Sequence, residues 1–144
     1  MKPHRAAAID LSLLTIGTLL LLASGMLYVL YRPQTLLLFH VADSMGLLPL
    51  IDSWQQWASA WPLHPFVVYS LPAGLWALSY VLIAVVLAAP LPPKGRLAAV
   101  AAVPLLGTAS ELMQAAGLLP GTFDWADLAL YLAPLTLLTI NNKQ

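Results

Sequence analysis

The sequence predicts an all-α membrane protein, a bundle of four transmembrane helices with an interfacial or re-entrant helical segment between the first and the second. Three observations lead there. The 144 residues are 60% hydrophobic and only 8% charged, and the mean hydropathy is +0.83, well beyond a soluble domain of this size. The apolar residues gather into long runs that begin or end at proline or charge, as spans do. Basic residues, finally, are distributed unevenly between the loops.

The first span is Leu11 to Tyr31, free of charge for 21 residues. At about 1.5 Å per residue it crosses a hydrocarbon core of about 30 Å. Its apolar stretch exceeds that of a secretory signal, so it reads as an uncleaved span. No Asp, Glu, Lys or Arg occurs from Ser53 to Pro93, and Phe66 to Ala89 is the second span. Pro72 and Gly74 within it predict a kink near Ser70-Leu71-Pro72. Leu97 to Leu119 is the third span, and the fourth, about 124–140, is short enough to be tilted or kinked at Pro134.

The segment between spans one and two, 33–64, is too apolar for an ordinary loop and too interrupted to cross. Leu36 to Val41 and Leu47 to Ile51 are short runs of the re-entrant or interfacial kind. Leu50, Trp54, Trp57 and Trp61 recur at helical spacing, with Asp52, Gln55, Gln56 and Ser59 opposite. Such a tryptophan stripe suits the headgroup layer, or alternatively the face of a lipid or glycan ring. With no internal repeat, residues 1–144 form a single membrane domain.

Lys2, Arg5, Lys94, Arg96 and Lys143 fall on one side of a four-span arrangement and only Arg32 on the other. The positive-inside rule then makes both termini cytoplasmic. Asp43, Asp52, Asp124 and Asp127 face outward, and Glu111, roughly 21 Å along its helix from Leu97, lies in the outer half. A formal net charge of zero and no basic run exclude a nucleic-acid partner. With no cysteine there is neither disulfide framework nor thiolate site.

Glu111 is the residue that demands a reason. A carboxylate in a span costs about 2.5–3.5 kcal/mol even on lenient insertion scales, so it faces a partner, a water-filled cavity or a site. Gln114 shares its helix face. Beyond the Pro120-Gly121 turn come Asp124 and Asp127, which either cap the last helix and oppose its dipole or join a site with Glu111. The structural alternative for Glu111 is a hydrogen bond to Gln114, Tyr69, Ser70 or Arg32 that locks helix packing. Three carboxylates can hold a hard cation or divide acid and base roles, yet their spacing matches no defined metal motif, and neither His40 nor His64 supplies one. No cofactor is therefore expected. Arg32 either snorkels to lipid phosphate or pairs with an outer carboxylate. No phosphate-binding loop, nucleophile elbow or zinc-protease motif is present.

Glu111-x-x-Gln114, a turn with Gly121, and Asp124-x-x-Asp127 opening the last helix resemble the signature of VanZ-like membrane proteins, over about the C-terminal quarter of the chain. Tyr69-Ser70-Leu71-Pro72-x-Gly74-Leu75-Trp76, with Arg32-Pro33 upstream, is similar to small bacterial membrane proteins of the same group. Where the family usually has an arginine in the turn and an asparagine one helical turn after the last aspartate, this chain has Thr122 and Tyr131. The resemblance implies a divergent member or sister family in the bacterial inner membrane, in a family named for a link to teicoplanin resistance and without established chemistry. It implies a pocket of Glu111, Gln114, Asp124 and Asp127, supported by Arg32, Tyr69 and Ser70. The pocket would engage a lipid-linked envelope precursor or a glycopeptide-type ligand.

Two other functions stay open. One is a noncatalytic subunit that packs a partner protein's helix against Ala98, Ala101, Ala102 and Gly107. The other is an intramembrane enzyme acting on a lipid-linked substrate through Glu111. Membrane lipid is a partner in every case.

Overall fold

The computed structural model describes the backbone of residues 3–136 and the side chains of residues 10–136. All regular structure there is helical: α1 (Pro3–Tyr31), α2 (Leu37–Ser44), α3 (Leu48–Ser59), α4 (Pro65–Tyr69), α5 (Leu71–Leu87), α6 (Pro93–Ala115) and α7 (Trp125–Leu132), which runs into a 3₁₀ turn at Ala133–Leu135. Two stretches are long and apolar enough to cross a membrane, Asp10–Tyr31 with mean hydropathy 2.1 and Pro93–Ala115 with 1.3. Leu71–Leu87 and Trp125–Leu135 are apolar but shorter. The expected end of the fourth span, 137–140, and the orienting residues Lys2 and Lys143 lie outside the described residues, as does the side chain of Arg5.

The expected second span is two helices. The helix is interrupted at Ser70, which ends α4 and precedes α5, where Pro72 has no N–H to continue the ladder. The third helix begins earlier and ends earlier than Leu97 to Leu119. Pro93 occupies its first turn, where a missing N–H costs nothing. Its other end is closed at Gly117, whose φ of +70° reverses the chain. The Leu118 N–H reaches the Met113 carbonyl at 2.8 Å and the Gly117 N–H reaches that of Gln114 at 3.0 Å, the paired bonds of a Schellman motif. Glu111 is thus about one turn from its helix end, nearer the end than the apolar run alone implied.

Helix α5 is the hub, packed on α1, α6 and α7. Its contact face is made of small residues, Gly74, Ala77, Ser79, Val81 and Ala84, which let helix axes come close. One core cluster joins Val81, Ala84 and Ala88 to Val100 of α6. Above Gly74 lies Leu130 of α7, 2.9 Å from where a Cβ would stand. Gly107 of α6 is covered by the Tyr131 ring. The small residue that sequence offered to a partner's helix is therefore filled by this chain's own α7, and Ala101 is buried as well.

Helices α2 and α3 fold back over the end of α1. Phe39, Ala42 and Ile51 bury against Tyr28 and Val29, with the Tyr28 and Phe39 rings stacked at 6.4 Å. The tryptophan stripe is outward, Trp57 and Trp61 being 67% and 65% exposed. Gln55, however, is half-buried. Its amide donates to the carbonyls of Val29 (2.8 Å) and Arg32 (3.0 Å) and accepts from Gln34 at 3.0 Å. It so satisfies carbonyls that the last turn of α1 leaves without helical partners.

The Gly107–Tyr131 contact leaves no room for a methyl group. Gly107→Ala is expected to lower stability by about 1–3 kcal/mol, read as a loss of thermal midpoint in detergent, and adding Tyr131→Leu should recover part of the loss. An unchanged midpoint for Gly107→Ala would refute this packing.

Candidate functional site

A cavity of about 830 Å³ is lined from α1, α5, α6, α7 and the turn before α7, together with Leu38 of α2 and Tyr69 of α4. Each side chain reaches it for a local reason. Ser24 and Tyr28 of α1 and Arg32 just after its end are spaced four apart, and the Arg32 N–H still reaches the Tyr28 carbonyl, so they share one face. On α6, Ser110, Glu111 and Gln114 project from the last turns. The turn itself is set by Gly121, whose φ is +136°. Gln114 presses on it, with amide atoms 2.8–3.0 Å from the place of a Cβ. A side chain at 121 would meet both obstacles.

The four residues singled out from sequence, Glu111, Gln114, Asp124 and Asp127, all line this cavity together with Arg32 and Tyr69. Their tasks differ. Glu111 is 6% exposed, and its Oε2 accepts the N–H of Asp124 at 3.1 Å. The partner is thus backbone, not any of the side chains expected. Asp124 is the N-cap of α7, with Oδ1 accepting from the Ala126 N–H at 2.7 Å. The Ser70 hydroxyl donates to its Oδ2 at 3.5 Å, so Ser70 supports the site from behind the cavity lining. Glu111 and Asp124 together reproduce the reciprocal logic of a capping box, except that the glutamate comes from another helix.

Asp127 has no such duty. It lies in the first turn of α7, and its buried Oδ1 has no hydrogen-bond partner. Arg32 is held between two rings, its guanidinium carbon 5.4 Å from the Tyr28 centroid and 5.1 Å from that of Tyr69. This is cation–π geometry. Its Nε is also buried without a hydrogen-bond partner.

Sequence reasoning passed over Ser24, Gly25 and Tyr28 and named Trp76 and Tyr131 only within the resemblance, not as site residues; all five line the cavity. Ser24 and Tyr28 carried a signal, the four-residue spacing that ends at Arg32. Trp76 and Tyr131 carried only their places in the resemblance. His40 and His64 stay out of the cavity, and His64 instead caps α4 by accepting from the Phe66 N–H at 3.2 Å. Among the described residues no group of three or more His, Asp or Glu is arranged to hold a metal ion.

Comparison of the chain with family models, with curated proteins and with solved structures found no match.

With the Glu111 carboxylate accepting the part-buried Asp124 N–H, Glu111→Leu should cost about 0.5–1.5 kcal/mol through the lost hydrogen bond. Glu111→Gln keeps an acceptor oxygen and should stay near wild type in thermal unfolding. Equal losses in the two variants would rule out that role.

Proposed function

We propose that this chain is a VanZ-like integral membrane protein of the bacterial envelope that binds an amphiphilic envelope ligand, a lipid-linked precursor or a glycopeptide-type molecule, in the cavity. In this reading α1, α4–α5, α6 and α7 with its continuation form the four spans of an inner-membrane bundle with both termini cytoplasmic. The cavity then opens toward the outer face, and the Trp54, Trp57 and Trp61 stripe sits in the outer headgroup layer.

The observation that carries it is convergence. Arg32, Tyr69, Glu111, Gln114, Asp124 and Asp127, distant in sequence, line one cavity. Its volume, about 830 Å³, suits a small molecule or a large headgroup, and its mixed lining of aromatic rings and a few polar groups is that of ligand sites. The exposed leucines of α1, Leu11, Leu19 and Leu22, are suited to acyl chains around such a bundle.

Gly25 offers a direct test. It lines the cavity, and a Cβ there would meet no atom within 4 Å. Gly25→Phe should fold like wild type, since most residues exceed glycine in helix propensity, yet fill the cavity. Amphiphiles that copurify with wild-type protein, identified by mass spectrometry, should be lost from this variant at unchanged thermal midpoint. A Gly25→Phe protein that retains them would sink the proposal.

A further inference from the structure

The cavity reading leaves the ligand's headgroup open, and the charged side chains that line it narrow the choice. Glu111 and Asp124 are engaged by backbone N–H groups. That leaves Asp127, with Oδ1 buried and unpartnered, and Arg32, with Nε in the same condition. Both line the same cavity. They carry opposite charges, and neither unused atom is satisfied by the other.

A structural ion pair would be joined, because a buried charge left unmatched is unfavourable whereas a matched one recovers its desolvation. Arg32 is instead fixed in place. Its carbonyl accepts from Gln55, its N–H donates to the Tyr28 carbonyl at 3.1 Å, and the Tyr28 and Tyr69 rings flank its guanidinium. A guanidinium presented in this way offers a planar fork matched to phosphate oxygens. Asp127 offers an acceptor matched to an N–H donor.

Resting on the cavity reading, we propose that the site binds the headgroup of a zwitterionic phospholipid of the phosphoethanolamine class, its phosphate on Arg32 and its ammonium on Asp127. The sign of the wall favours this over a purely anionic lipid. Three carboxylates, Glu111, Asp124 and Asp127, share the lining with one arginine, so a ligand bringing only negative charge meets net repulsion away from Arg32. An ammonium with N–H donors relieves it. A quaternary ammonium brings the charge without the hydrogen bond. Leu21, Val29, Leu38 and Trp76 supply apolar wall for the start of the acyl chains.

The experiment compares lipid retention by the full-length protein in mixed detergent–lipid micelles, read by native mass spectrometry. Dioleoyl phosphatidylethanolamine, phosphatidylcholine and phosphatidylglycerol are supplied at equal mole fraction. Wild type should hold phosphatidylethanolamine at least about tenfold more than either of the others, one decade being about 1.4 kcal/mol. Asp127→Asn should bring phosphatidylethanolamine down to the level of phosphatidylcholine. Arg32→Gln should weaken both, and Arg32→Lys, which keeps charge without the fork, should fall between. Glycerophosphoethanolamine, the same headgroup without acyl chains, should compete only at far higher concentration; competition at equal concentration would reassign the site to a soluble phosphodiester.

Equal retention of phosphatidylethanolamine and phosphatidylcholine by wild type overturns the headgroup assignment without recourse to any variant. So does a preference that survives Asp127→Asn. If Gly25→Phe still abolishes retention in either case, the cavity reading stands while the headgroup assignment falls. If Gly25→Phe retains lipid, both fall.

Discussion

A helix that starts among apolar neighbours exposes N–H groups that nothing within the helix can accept, and away from water each one left unmatched is costly. In this protein the start of α7 is supplied from two directions: Asp124 caps its own helix, and Glu111 reaches across from α6 to take the Asp124 N–H. That hydrogen bond closes the turn from Gly117 to Asp124. It also aims α7 at the hub helix, where Leu130 sits over Gly74 and Tyr131 over Gly107. The orientation of Asp127 into the cavity follows from the same registration. The buried charge of Glu111 is thus tied to the position of an entire helix.

The opposite wall meets the same constraint with reversed polarity. Where α1 ends, carbonyls need donors, and Gln55 of α3 supplies two hydrogen bonds to them. The α2–α3 excursion therefore has a structural duty besides any contact with a membrane surface, since it braces the turn that carries Arg32. Stacking of Phe39 on Tyr28 continues the brace to the ring beside the guanidinium. Two helix ends, one presenting Arg32 and one presenting Asp127, are in this way held rigid by atoms outside their own helices. Rigid groups with unspent hydrogen-bonding capacity are what a binding site requires.

The polar residues divide accordingly. Glu111, Asp124, Ser70 and Gln55 build the frame; Asp127 Oδ1 and Arg32 Nε are without hydrogen-bond partners. A lipid headgroup reaching such a site would enter with its tails along apolar lining and exchange hydration for fixed donors and acceptors. The small residues of α5 serve this arrangement by drawing α1, α6 and α7 close to one another around the cavity.

Much of this was legible from residues in order. The apolar runs marked the long helices, Pro72 marked the break at Ser70, and the spacing of Trp54, Trp57 and Trp61 marked an outward stripe. Glu111, Gln114, Asp124 and Asp127 were separable as a group because charge inside an apolar segment needs a reason. The inward turn of Gln55 was not legible, nor was the occupation of Gly107 by Tyr131, nor the choice of a backbone N–H as Glu111's partner. Periodicity states which residues share a face, but not which neighbour that face will meet. Composition and spacing by themselves determined a helical, strongly apolar chain with a costly acidic cluster near its end. Only the tertiary packing decided that Arg32 joins that cluster across a cavity, because the placing of the end of α1 opposite the α6–α7 turn depends on how three helices share α5, a relation that no local run of sequence encodes.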